Sequence, residues 1–315
     1  MSLSERLTGV GYQLGWKAIR WLPESWAREL FNAAADLAWR RQGKGVLRLE
    51  ANLRRVLGTD DGAEIRAMSN RVMRSYCRYW LEAFRMQAMP TERLVDGMHI
   101  NPEGQEQMMG ALKAGRGVVL SLPHMGNFEQ AGAWAVGVGA GRLTAVAERL
   151  RPESVYEAFV KLRESVGMEI IPLTGGSTHP FAILAQRLRK GGLVCLVSDR
   201  DLTDTGAEVD FFGEKAKMAA GAAVLAERTG AALMPVATWF VGDDEWGAHI
   251  YPEIPVPGSG TKQEKVQQMT QQVANVFEQA IREHPQDWHM LQRIFTADLD
   301  PEKAPGQQKA TVTQT

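Results

Sequence analysis

From about residue 110 onward, short runs rich in β-branched residues alternate with helical stretches, and this switch of period constrains the fold more than any other feature of the chain. The β-like runs are Gly117 to Leu122 (GVVLSL), Leu143 to Ala147, Glu169 to Pro172, Leu193 to Ser198, Ala231 to Val241 and His249 to Pro252. Between them, residues 127–138, 153–167, 178–190 and 219–229 carry helical patterning. Strands separated by helices pair in parallel, because each crossover returns the chain in the same direction. The expected fold class is therefore α/β, with a central, mostly parallel mixed sheet flanked by helices. Such sheets bind ligands beyond the carboxyl ends of their strands, so the residues that follow each run become candidates for chemistry.

The chain before this point reads differently. From residue 3 to about 88 the apolar positions are helical, first Leu3, Leu7, Val10 and Leu14, then Leu30, Phe31, Leu37, Leu49, Leu53 and Leu57. Pro23 separates the first helix from the second, and Gly43, Gly45 and Gly58 are expected to mark later breaks. Trp16, Trp21, Trp26 and Trp39 are interleaved with Lys17, Arg20, Arg28, Arg40 and Arg41. Amphipathic helices with tryptophan and arginine suit the headgroup boundary of an anionic membrane surface; the same pattern also fits helices that pack on a core and solvate their charges. The organisation expected is an N-terminal membrane-associating segment of amphipathic helices over 1–90, an α/β core over 91–299, and a disordered polar tail over 300–315.

Charge and composition narrow the function. Residues 1–100 carry 16 Lys+Arg against 11 Asp+Glu, and the remainder 20 against 26. That small surplus, confined to one end, argues against a nucleic-acid partner. The two cysteines, Cys77 and Cys195, lack metal or disulfide spacing and read as thiols of a reducing compartment. The six histidines show no ligand spacing either, so no metal is expected. With neither a secretory signal nor an apolar run of roughly 20 residues, the chain is expected to be cytoplasmic and to meet a membrane from the side.

The sharpest local feature follows GVVLSL directly: Ser121-Leu122-Pro123-His124-Met125-Gly126-Asn127-Phe128-Glu129. It puts an imidazole at a strand's carboxyl end and Glu129 in the first turn of the next helix, near enough to reach back. A neutral imidazole that accepts a proton, with a carboxylate to fix its tautomer, is what general base catalysis needs. The amides of the Gly-Asn pair offer a place for an anion or oxyanion. A second polar cluster, Ser198-Asp199-Arg200-Asp201, ends the strand LVCLVS, and there Asp199 could polarise His124 or Arg200 bind an anion. Ser121 and Ser198 are the nucleophile candidates by adjacency alone.

Three further segments carry candidate substrate-binding residues. Ala147 to Glu153 with the following helix presents Glu148 and three arginines, Arg149, Arg151 and Arg163; the guanidiniums suit phosphates, and equally a solvated surface. Val209-Asp210-Phe211-Phe212-Gly213 reads as a loop over an acyl or phosphate group, although the two phenylalanines fit a core equally well. Thr205, ahead of this loop, and Arg228, on the small-residue helix after it, complete the set.

Together PHMGNFE, VAERLRPESVYEAFVKLRESVGMEIIPLTGG, SDRDLTDTGAEVDFFGE, AERTGAALMPV and HPQDWHMLQ resemble the lipid A biosynthesis acyltransferase superfamily, most closely its actinobacterial phosphatidylinositol mannoside acyltransferases. The resemblance runs from about 10 to 295. It implies a glycerolipid-acyltransferase-like core and an H-x4-D/E motif, here His124 and Glu129. It further implies an acyl-CoA donor substrate, typically palmitoyl-CoA, with no cofactor. The acceptor it implies is a glycolipid, through a mannose hydroxyl of a phosphatidylinositol mannoside, and the location is peripheral, on the cytoplasmic face of the cell membrane. The family's second acid, in the segment matching SDRD, falls on Asp199. Both acids are exchanged relative to the family's usual pattern, Glu for Asp at 129 and Asp for Glu at 199, which leaves open which carboxylate meets the imidazole.

Overall fold

The computed structural model describes residues 19, 21–149, 153–175, 179–201 and 206–299. The Leu3 to Leu14 stripe, Trp16, Lys17, Arg20, Arg151, Thr205 and the tail from 300 lie outside the described residues.

The helical segment begins with α1 (Glu24–Arg40), entered directly after Pro23, followed by α2 (Lys44–Leu57) and α3 (Gly62–Arg85). Gly58 ends α2 in the left-handed region at φ 63°, where a residue without Cβ costs least. Gly45, by contrast, lies inside α2 and breaks nothing. Val46, Leu49 and Leu53 of α2, spaced three and four apart, are buried with Ala35 of α1 and Ile65, Val72 and Met73 of α3, while Val56 one turn on joins the core against the sheet. These helices hold a small apolar cluster of their own, but α3 also runs on into the core described below.

After a 3₁₀ turn at Met86–Ala88 come α4 (Thr91–Asp96), β1 (Met98–Ile100), α5 (Pro102–Lys113), β2 (Val118–Leu122), α6 (Phe128–Gly137), β3 (Leu143–Ala147) and α7 (Glu153–Ser165). The chain continues through β4 (Glu169–Pro172), α8 (Pro180–Arg189), β5 (Leu193–Val197), β6 (Ala207–Phe211), β7 (Glu214–Met218), α9 (Gly221–Thr229), β8 (Ala232–Val241), β9 (Glu245–Ile250) and α10 (Lys262–Glu283). Seven strands form one sheet in the order β1-β9-β8-β2-β5-β3-β4. From β8 to β4 all neighbours are parallel, and β9 joins β8 antiparallel, so the sheet is the mixed, mostly parallel kind expected. One face packs on α8, α9 and α10, the other on α5, α6 and α7, and each face has its own buried cluster. None of the helices among the described residues is long and apolar enough to cross a membrane.

Two local expectations fail. The last strand occupies Glu245–Ile250 rather than 249–252. It contains Gly247, where an added Cβ would stand 2.2 Å from the Trp239 ring; close approach of the indole requires glycine there, and glycine weakens the strand signal. The presumed loop at 209–213 is instead the hairpin β6–β7. Phe212 and Gly213 have φ of 50° and 79°, the pair of positive values that a two-residue turn of this twist demands.

Candidate active site

The ladder between β2 and β5 ends with the matched pair Leu122↔Val197. His124 and Asp199 each stand two residues further along their own strand. Neighbouring strands lie about 4.8 Å apart, so these two side chains meet without a long linker, and the short aspartate suffices. The imidazole Nδ1 is 2.5 Å from Asp199 Oδ1, while Oδ2 accepts the His124 backbone N–H at 2.9 Å.

Asp199 is wholly buried, whereas the His124 side chain is 25% exposed and lines a cavity. Burial alone would raise the Asp199 pKa, but the imidazole beside it and the hydrogen bonds from His124 and from Trp288 Nε1 (3.0 Å) outweigh this and hold it below its ordinary value. The carboxylate is thus kept charged behind a ring that is open on its other side.

Glu129 does not reach the imidazole. It sits in the first turn of α6, but its carboxylate is ion-paired with Arg163 of α7, the guanidinium Nε lying 3.0 and 2.9 Å from its two oxygens. Tyr79 contacts the same carboxylate at 3.4 Å. Burial works against the Arg163 charge, yet the Glu129 carboxylate prevails and the guanidinium pKa is raised. A cation in this wall needs an anion within reach, and Glu129 is the one supplied. The Gly126 amide is likewise committed, donating to the Asp287 carbonyl at 2.9 Å, so it offers nothing to an oxyanion. Asn127 caps α6 through Gln130 N, and its amide donates to Glu82 of α3.

The cavity has a volume of about 910 Å³, at the upper end of ordinary ligand sites. Pairing between β3 and β5 stops at Ala145↔Cys195, although β3 continues to Ala147 against β4 and β5 to Val197 against β2. Past that point the two strands part, and the cavity is lined from both layers of the fold. Phe128, Gly132, Tyr156, Phe159 and Met168 wall one side, and Phe181, Leu184, Ala185, Ala222 and Leu225 the other. It spans the depth of the sheet, from His124 and Arg200 at the carboxyl ends of the strands to Arg189 and Arg228 where α8 and α9 end.

Among the sequence candidates, His124, Glu129, Glu148, Arg163, Ser198, Arg200 and Arg228 line this cavity. The Arg200 Nε is buried without a hydrogen-bond partner among the described residues. Arg149 does not line it; its guanidinium is exposed and paired with Glu153. Asp210 forms an exposed pair with Lys215 across the hairpin, and Phe211 and Phe212 are buried in the core, at 0% and 7% exposure. Phe211, the last residue of β6, packs against Trp288 and Phe295, and Phe212 in the turn packs against Trp288. Ser121 and Ser198 hydrogen-bond to each other at 2.5 Å and not to the imidazole. Cys195 also lines the cavity, its thiol pushed up to about 12 by burial, so it is no ready nucleophile. The aromatic wall, Trp80 and Phe159 above all, and the indole of Trp288 were not picked out from the sequence; for Trp288 the signal available was its place in HPQDWHMLQ, one of the segments that carry the resemblance.

The chain is matched over residues 6–297 by the family described as bacterial lipid A biosynthesis acyltransferase. It is 45% identical over 301 residues to a phosphatidylinositol mannoside acyltransferase of Mycolicibacterium smegmatis, covering 96% of this chain and 95% of that protein. It is 44% identical over 298 residues to one from Mycobacterium tuberculosis, with 95% and 92% covered. The site geometry and these similarities converge: the chain is a member of the bacterial lipid A biosynthesis acyltransferase family.

Proposed function

We propose that this protein moves a fatty acyl chain, palmitoyl in the first instance, from acyl-CoA to a mannose hydroxyl of a phosphatidylinositol mannoside. The observation that carries the reading is the His124–Asp199 pair at an apolar cavity large enough for an alkyl chain. His124 Nε2 removes the hydroxyl proton as that oxygen bonds to the thioester carbonyl carbon. Asp199 stabilises the imidazolium so formed. The tetrahedral intermediate then collapses, the carbon–sulfur bond breaks, and the thiolate leaves with the proton from the imidazolium. General base catalysis of this kind contributes about 10²–10⁴-fold. Arg200 lies beside the base and Arg228 at the opposite end of the cavity, and at either place a guanidinium fits a phosphate, of the donor or of the lipid acceptor.

Membrane attachment belongs to the same proposal. Trp26, Leu30 and Leu37 lie along one face of α1 and are 69%, 54% and 50% exposed, with Trp21 just ahead at 89%. Arg40 and Arg41 end that helix and Lys44 opens the next, the composition an anionic surface attracts. On this reading the enzyme works as a peripheral protein on the cytoplasmic face of the membrane.

The test is incubation of the purified chain with palmitoyl-CoA and a phosphatidylinositol mannoside, following released thiol and the mass of the lipid. The expected result is a lipid heavier by one palmitoyl group, abolished by His124→Ala. Thiol release with His124→Ala at the parent rate would overturn the assignment of the base. Acylation of other glycolipids in preference to the mannoside would overturn the acceptor.

A further inference from the structure

The segment from His284 to Met290, part of a motif that the proposed chemistry does not use, lies directly behind the base. Asp287 O accepts from Gly126 N, His289 N donates to His124 O at 2.8 Å, and Met125 and Trp288 form an antiparallel bridge. These contacts fix the backbone of the His124 loop. Trp288 is wholly buried against Phe211 and Phe212, yet it keeps a polar task, since its Nε1–H donates to Asp199 Oδ2 at 3.0 Å. Among the described residues, Asp199 receives its hydrogen bonds from the imidazole, the His124 amide and this indole.

Building on the acyl-transfer reading above, we propose that Trp288 is a positioning residue for this pair, its indole N–H holding Asp199 Oδ2 so that Oδ1 remains the partner of Nδ1 and the buried carboxylate keeps its charge. A carboxylate sealed from water is stabilised only by the donors around it. When the indole donor is removed, water cannot replace it, because Trp288 and Asp199 are both at 0% exposure. The strained charge is then relieved by proton uptake on the imidazole, which turns a lone buried anion into an ion pair. The pair therefore takes up its proton at higher pH, and less of the enzyme holds a free base near neutrality.

Other titratable or charged groups surround the pair: His289 and Asp287 on the same segment, Glu129 with Arg163 across the cavity, and Arg200 and Asp201 after Asp199. A Trp288→Phe substitution leaves all of them in place and keeps an aromatic ring beside Phe211 and Phe212. The expected outcome is an acidic limb of kcat/KM raised by about half to one pH unit and kcat near pH 7 down about two- to threefold, with KM for palmitoyl-CoA changed less than twofold. A role in packing alone would lower the yield of folded protein and leave the limb where it was.

The deciding measurement compares full-length parent and Trp288→Phe proteins by nitrogen NMR of the histidine rings across pH, beside the turnover profile. A raised titration midpoint for His124 supports the positioning role even if the parent turns over no lipid, in which case it is the acyl-transfer reading that fails. An unchanged midpoint in a folded variant overturns the proposal. Should Trp288→Phe not fold, benzothienylalanine introduced at 288 retains the indole's shape without the N–H, and the same two outcomes decide.

Discussion

Two buried acids flank the same cavity, and they are neutralised in opposite ways. Asp199 has neutral donors and an imidazole around it, so its charge is available to a proton arriving on His124. Glu129 is matched to the permanent cation of Arg163, so its charge is already spent. The difference teaches that spacing from a histidine does not assign an acid its work. Arg163, 34 residues further along the chain, decides what Glu129 does, and β5 delivers Asp199 from 75 residues away.

The largest effect that would break this comparison is on turnover. Asp199→Asn should lower kcat by about 10³–10⁴-fold, as removal of the orienting acid does in other histidine-based sites, while the melting temperature changes little. Glu129→Gln should leave most of kcat in the protein that remains folded. If the glutamine variant lost as much turnover at full stability, the two acids would have to exchange roles.

Stability gives the next largest effect, with the order reversed. Glu129→Gln leaves the Arg163 guanidinium, 20% exposed, facing a neutral amide, and should cost about 3 kcal/mol in denaturant unfolding. Replacing both partners by leucine and methionine should recover most of that loss, because the desolvated charge is gone. A double variant no better than the single would mean the pair is not what stabilises this wall.

A third buried group sharpens the contrast by staying neutral itself. His289 is fully buried, hydrogen-bonded to Ser75 at 2.9 Å, and burial lowers its pKa to about 3. A folded-state pKa below the unfolded imidazole value of about 6.5 means that the unfolded chain binds the proton first. Its stabilising contribution is complete above about pH 6.5 and is lost as pH falls towards 3. His289→Gln should flatten the fall of melting temperature across that interval, and an unchanged slope would exclude His289 as its source.

The smallest effect concerns a surface far from either acid. Trp26→Glu with Leu30→Glu should weaken binding to anionic vesicles about tenfold while thiol release in detergent stays at the parent rate. Vesicle binding at the parent level would remove α1 as the membrane face.

What the sequence disclosed follows from the range of each signal. GVVLSL announced β2 and, with it, an imidazole at a strand end, because both are local statements about a few consecutive residues. β1 has three residues and shows no period. The β6–β7 turn was hidden because Phe212 occupies a positive-φ position that usually falls to asparagine or glycine. The Glu129–Arg163 pair, the indole on Asp199 and the parting of β3 from β5 are tertiary facts, and no window of sequence contains both halves of any of them. Even the family pattern, which brought in both acids, left their division of labour open.

The register of β2 against β5 has one more consequence. Base and carboxylate continue a ladder of five matched pairs, so no hinge separates them from the centre of the sheet. A slip of one residue would set Ser198 or Arg200 opposite the imidazole and turn alternate side chains to the wrong face. Competence on heating should therefore vanish together with the central strands rather than ahead of them, and a chain that has assembled these two strands out of step announces its error as a dead enzyme.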